Sequence, residues 1–183
     1  MDDRKTGLGV RAVRARAAAG SALFFLLAPG VVAGLIPWWL TGWEPEDPVS
    51  FWGPLRVAGV VLLAAGVGVL LHAFVRFVVE GLGTPAPVVP TKRLVVGGLY
   101  RYVRNPMYLA VLAVIVGQAL ILGRLELLAY AALVAAAFAA FVHWYEEPTL
   151  QRQFGDEYEA YRQEVPAWLP RVRRRPGFAR PAR

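Results

Sequence analysis

VAGVVLLAAGVGVLLHAFVRFVV, residues 57–79, decides the fold. A helix needs about 20 consecutive apolar residues to cross a bilayer's hydrocarbon core, and this run supplies them with His72 and Arg76 as its polar interruptions. Residues 21–40, 107–123 and 125–145 repeat its character. The last two are separated by Gly123-Arg124, a flexible residue and a charge, which reads as the turn of a tight helical hairpin, with one re-entrant hairpin as the alternative. The expectation is an all-α integral membrane protein, a single membrane domain over residues 1–183. It has four transmembrane helices and a C-terminal interfacial amphipathic helix.

The composition agrees: 57% of residues are hydrophobic and 18% charged. The first run follows Arg11, Arg14 and Arg16 as a secretory signal would, but it is longer than the ~7–15-residue core of such a signal and closes on Trp38-Trp39, residues suited to a membrane interface. The net charge of +7 is distributed in a way that points to membrane rather than nucleic acid. Arg4, Lys5, Arg11, Arg14 and Arg16 precede the first span, whereas the loop after it has no Lys or Arg and carries Glu44, Glu46 and Asp47. The next connection is basic again, the third has Arg124 alone, and the tail is rich in arginine. That alternation places both termini in the cytoplasm of a multi-pass inner or plasma membrane protein, and basic loops beside anionic lipid need no nucleic-acid partner. Absence of cysteine excludes disulfides and thiolate chemistry, and two histidines far apart, His72 and His143, argue against a metal centre. Oligomeric state leaves no signal.

The polar connection, residues 80–106, is long for a structureless link. A turn-rich segment at 81–87 leads to Arg93-Leu94-Val95-Val96, then Gly97-Gly98, then Leu99-Tyr100-Arg101-Tyr102-Val103-Arg104-Asn105-Pro106-Met107-Tyr108. Asn105-Pro106 is a good helix start by itself. A helix start also offers free N–H groups and a partial positive charge, to which Arg101 and Arg104 would add in holding an anionic group. The alternative is that these arginines anchor to lipid phosphate.

The fourth span ends in His143-Trp144-Tyr145-Glu146-Glu147-Pro148. Two adjacent carboxylates at the negative end of a helix dipole call for compensation, by a salt bridge to the arginines or by a cationic ligand. Pro148 is read as restarting the chain. Leu150, Phe154, Tyr158, Tyr161 and Val165 then recur at spacings of three and four, which predicts a cytoplasmic helix over 148–165, flat on the interface or packed over the site as a lid. Residues 171–183 form a basic tail. His72 is read as an interhelical hydrogen-bonding residue, His143 as either structural or catalytic, and Arg56 and Arg76 as snorkelling to the interfaces.

The block Gly98-x-Tyr100-x-x-x-Arg104-Asn105-Pro106-x-Tyr108, followed two spans later by Glu146-Glu147-x-x-Leu150-x-x-x-Phe154-Gly155-x-x-Tyr158-x-x-Tyr161-x-x-x-Val165-Pro166, resembles the isoprenylcysteine carboxyl methyltransferase family, to which membrane phospholipid methyltransferases are related. The resemblance covers roughly residues 84–170. It implies S-adenosylmethionine as cofactor, contacted by Leu94, Val95, Tyr100, Asn105, Pro106 and Tyr108, with Glu146 completing the pocket and Glu147 beside it. It also implies a lipid-like or lipidated acceptor entering from the bilayer. A carboxylate acceptor needs no base, only a cation such as Arg101 or Arg104 to hold it; an amine acceptor needs a base, for which His143 or Glu147 is placed. Two departures stand out. The family usually has histidine where this chain has Asn105, and Val142 replaces the arginine that orients the substrate carboxylate in prenylcysteine enzymes. A non-catalytic lipid-binding scaffold is the competing class. A transporter is disfavoured by the absence of internal repeats.

Overall fold

The computed structural model describes residues 28–80 and 94–170, with side chains to residue 73 in the first stretch. Residues 21–27 of the first apolar run, the turn-rich 81–87 segment and the 171–183 tail lie outside the described residues. Among the described residues every regular element is helical. A π turn, Val31–Leu35, leads into α1 (Ile36–Thr41). There follow α2 (Gly53–Glu80), a 3₁₀ turn (Gly98–Arg101), α3 (Pro106–Leu122) and α4 (Glu126–Phe141). A second π turn (Val142–Glu146), α5 (Glu147–Phe154) and α6 (Asp156–Glu164) complete the order.

Two helices, Gly53–Ala73 and Glu126–Phe154, are long and apolar enough to cross a membrane. Only 17% and 22% of their apolar windows are buried inside the protein, so most of these side chains face outward, where lipid is the solvent that suits them. Ala28–Thr41 and Pro106–Leu122 are shorter apolar helices. The second long helix runs past Tyr145 and through Pro148, where the sequence suggested a restart, and it ends at Gly155 (φ 53). The single helix expected over 148–165 is therefore two, α5 and α6, hinged at a glycine whose backbone conformation disfavours other residues.

The described chain forms two compact units. One holds α1 to α3 and α4 as far as Ala137; the other holds Leu94–Pro106 and the chain from Phe138 onward. In the first unit α2 and α3 meet through backbone. A Cβ built on Gly59 would lie 2.8 Å from the Gly117 carbonyl, one on Gly66 would lie 2.8 Å from the Ala110 carbonyl, and one on Gly117 would lie 2.8 Å from the Leu63 nitrogen. Small residues allow this approach, which replaces the hydrophobic drive that helices lack in lipid.

The end of α3 is closed by the acidic loop. Leu120, Ile121 and Leu122 carbonyls, which have no helical donors, accept from Trp52 Nε1 (2.8 Å), Arg56 Nε (3.1 Å) and the Glu46 amide (2.6 Å). Arg56 also pairs with the exposed Asp47 at 2.8 Å. Arg124 pairs with Glu46 and donates to the Thr41 carbonyl.

The first π turn has a local cause. The Ile36 amide reaches back five residues to Val31, and Pro37 has no amide hydrogen. The carbonyls of Val32 and Ala33 thereby lose their ordinary helical donors, and Tyr130 Oη (2.8 Å) and Gln118 Nε2 (2.7 Å) replace them. Gln118 is 8% exposed, and its Oε1 accepts from Trp43 Nε1. A buried polar side chain is here a backbone substitute.

Candidate functional site

The second unit gathers most of the residues singled out in the sequence. Leu94 to Gly97 is half-buried, and Gly98 (φ 59) turns the chain into the 3₁₀ turn that carries Tyr100 and Arg101. Leu94 and Val96 pack on the cluster of Tyr158, Tyr161 and Val165, joined by Leu150 and Phe154. The spacing of three and four thus marks one apolar face, used across both α5 and α6 and covered by the Leu94 segment. Tyr161 Oη donates to the Tyr100 carbonyl (2.7 Å), fixing the 3₁₀ turn.

Arg104 and Asn105 are moored to the far end of the chain. The Arg104 amide donates to the Pro166 carbonyl (2.9 Å), and Asn105 Nδ2 donates to Ala167 (3.2 Å). Asn105 is 6% exposed, and Pro106 opens α3. The Arg104 side chain, 12% exposed, forms an ion pair with Glu147, 19% exposed, at 2.6 Å from Nη1 to Oε1. The same Nη1 donates to Tyr158 Oη at 3.0 Å. Arg104 Nε is enclosed and meets no hydrogen-bond acceptor. Arg101, by contrast, is exposed.

Electrostatics place the other acid near the 3₁₀ turn. Burial pushes the Tyr100 hydroxyl well above the ordinary phenol range, and the Glu146 charge pushes it further. Burial also raises Tyr158 and Tyr161, and Arg104 offsets part of each rise. All three remain neutral donors and acceptors at physiological pH.

His143 is exposed and stands edge-on to Trp144, with ring centroids 6.2 Å apart. Tyr108 lies in the first turn of α3 and belongs to the other unit. Val95 is half-buried. Sequence reasoning missed three participants: Tyr158 as a partner of Arg104, the Pro166 and Ala167 carbonyls, and the π turn ahead of the acid pair. The last had a signal, a proline set inside an apolar helical pattern.

The profile of the phospholipid methyltransferase family matches residues 54–157. The chain belongs to that family. Among curated proteins, a protein-S-isoprenylcysteine O-methyltransferase of Schizosaccharomyces pombe is similar, at 35% identity over 79 residues. The match takes in 43% of this chain and 34% of the relative, so the chain spans about a third of the length of the curated protein it matches. No solved structure matches the chain. Within the phospholipid methyltransferase family profile fall α2 from its second residue, the 3₁₀ turn, Arg104, α3 to α5, the Glu146-Glu147 pair and the first two residues of α6.

Proposed function

We propose that this phospholipid methyltransferase family member is an S-adenosylmethionine-dependent membrane methyltransferase. Its acceptor is hydrophobic, lipid-like or lipidated; carboxylate O-methylation is favoured and amine N-methylation is the variant reading. The observation that carries the proposal is the enclosed Arg104, clamped through Nη1 by Glu147 and Tyr158. A guanidinium fixed in this way is a pre-oriented cation, and a carboxylate is the anion that matches its geometry. S-adenosylmethionine carries a carboxylate, an amine, an adenine and a sulfonium. Arg104, Glu146, the apolar Leu94-Val95 wall and the Tyr100 ring offer a counterpart to each, so the donor set fits.

When bound, this cofactor supplies an activated methyl carbon, and the protein's part is orientation and exclusion of water. Leu94, Val95, Tyr100, Asn105, Pro106, Tyr108 and Glu146 are proposed to hold it, with Arg104 or Arg101 steadying an anionic group. Glu147 is committed to Arg104, which removes it as a base for an amine and leaves exposed His143 for that role. Carboxylate methylation needs no base, which is why it is favoured.

We place the chain in the membrane as four spans, the runs 21–40 and 107–123 serving beside the two long helices, with both termini cytoplasmic. The support is the alternation of basic and acidic loops. The internal Arg104–Glu147 pair is also what a lipid-binding scaffold would contain. Calorimetry of S-adenosylmethionine binding to detergent-purified protein, wild type beside Glu146→Gln, decides between them once size-exclusion profiles match. Binding by the wild type and its loss in the variant is expected. Failure of both folded proteins to bind would remove the methyltransferase reading and leave the scaffold.

A further inference from the structure

Two prolines of this chain stand at the same place relative to a widened turn. The Ile36 amide reaches the Val31 carbonyl and Pro37 follows; the Glu147 amide reaches the Val142 carbonyl and Pro148 follows. A proline within a helix offers no N–H, and its ring collides with the carbonyl four residues back. A five-residue step just before it moves that carbonyl aside, so each π turn is the local answer to its proline. Around Pro37 the released carbonyls are met by Tyr130 and Gln118, and the turn is a packing feature.

Around Pro148 the turn has a different result. Val142 is 3% exposed and fixes the buried face of the helix before the turn. In an uninterrupted α-helix, five residues make about 500°, which would set Glu147 about 140° round from Val142. The Glu147-to-Val142 hydrogen bond instead stacks Glu147 one wide turn beyond Val142, on the same inward side. There its carboxylate holds Arg104 at 2.6 Å.

We infer that Pro148 is a positioning residue: by imposing the widened turn, it sets the rotational register that delivers the Glu147 carboxylate to Arg104. Any residue with an amide hydrogen at 148 allows the α-helical register to return and swings the Glu147 carboxylate away from Arg104, while Glu146, about 40° round from Val142 in that register, stays on the inward side. The inference rests on the methyl-transfer reading for its binding readout and on the fold alone for its thermal one.

The test uses the full chain in detergent, with Pro148→Ala, Pro148→Ser as a second replacement, and Pro37→Ala as a control on the same device outside the site. Glu147→Gln is then added to each. Both Pro148 variants are expected to bind S-adenosylmethionine at least about tenfold more weakly while still folding, since each restores a helix-compatible residue. In those backgrounds Glu147→Gln should cost less than about twofold more, whereas in the Pro37→Ala background it keeps its full effect. Such non-additivity is the mark of residues acting through one arrangement. Unchanged affinity in Pro148→Ala, or an equal Glu147→Gln loss in every background, overturns the inference. If the wild type itself does not bind, the methyl-transfer reading falls separately. The register is then read from melting: the Glu147→Gln drop in Tm disappears with Pro148→Ala if the inference holds and persists if it does not.

Discussion

Removing Glu147 while leaving Arg104 in place strands a guanidinium that is 12% exposed and already has one unmatched nitrogen. Breaking a buried ion pair from one side costs about 3–5 kcal/mol, because the remaining charge keeps its desolvation penalty and loses its partner. Tyr158 Oη still accepts from Nη1, which puts Glu147→Met near the lower end, ~3 kcal/mol. For a chain of this length each kcal/mol shifts Tm by about 2–4 °C, so tryptophan-fluorescence melts in a fixed detergent should fall by about 6–12 °C. The Arg104→Met/Glu147→Met double variant removes both charges at similar volume and should return to within about 1 kcal/mol of wild type. A single variant melting within about 2 °C of wild type, or a double variant that loses the sum of the two singles, would refute the reasoning.

At the helix crossing, Gly117→Val places its Cβ against the Leu63 nitrogen and the Gly59 carbonyl, so α2 and α3 must separate. The expected loss is about 1–3 kcal/mol by thermal melt, and a neutral result would mean the helices are not in backbone contact. Alkaline pH gives a third check. Tyr158 and Tyr161 have folded pKa values raised by burial, so the native state keeps their protons where the unfolded chain releases them. Their contribution is whole below the unfolded value near pH 10 and is lost as pH rises beyond it, by up to about 1.4 kcal/mol per pH unit for each. Melts from pH 8 to 11.5 should decline above pH 10, and a Tyr158→Phe/Tyr161→Phe variant should lose less of its own stability over that range.

Hydrophobic run length made the helices legible, because a residue's preference for lipid over water is a local property. The Gly98–Tyr108 and Glu146–Val165 blocks likewise drew attention before any geometry, since arginines, tyrosines and paired acids beside apolar helices need partners. What stayed hidden was partner choice. Nothing local tells Arg104 to take Glu147 and leave Arg101 exposed, because that depends on a helix register set by Pro148. Pro148 itself was read as restarting the chain, yet a helix widened by one residue absorbs it. The partners of Arg56, Asp47 and the Ile121 carbonyl, were hidden for the same reason: they are chosen by tertiary folding.

The mooring of Arg104 and Asn105 by Pro166 and Ala167 also bears on how the protein is made. Synthesis proceeds from the N-terminus, so the Arg104-Asn105 step leaves the ribosome some sixty residues before its tethers exist. The helices can already be seated in lipid while this corner waits. A nascent chain halted between Asn105 and Pro166 would carry this corner untied, and a degradation system that senses loose basic loops would have a reason to remove it.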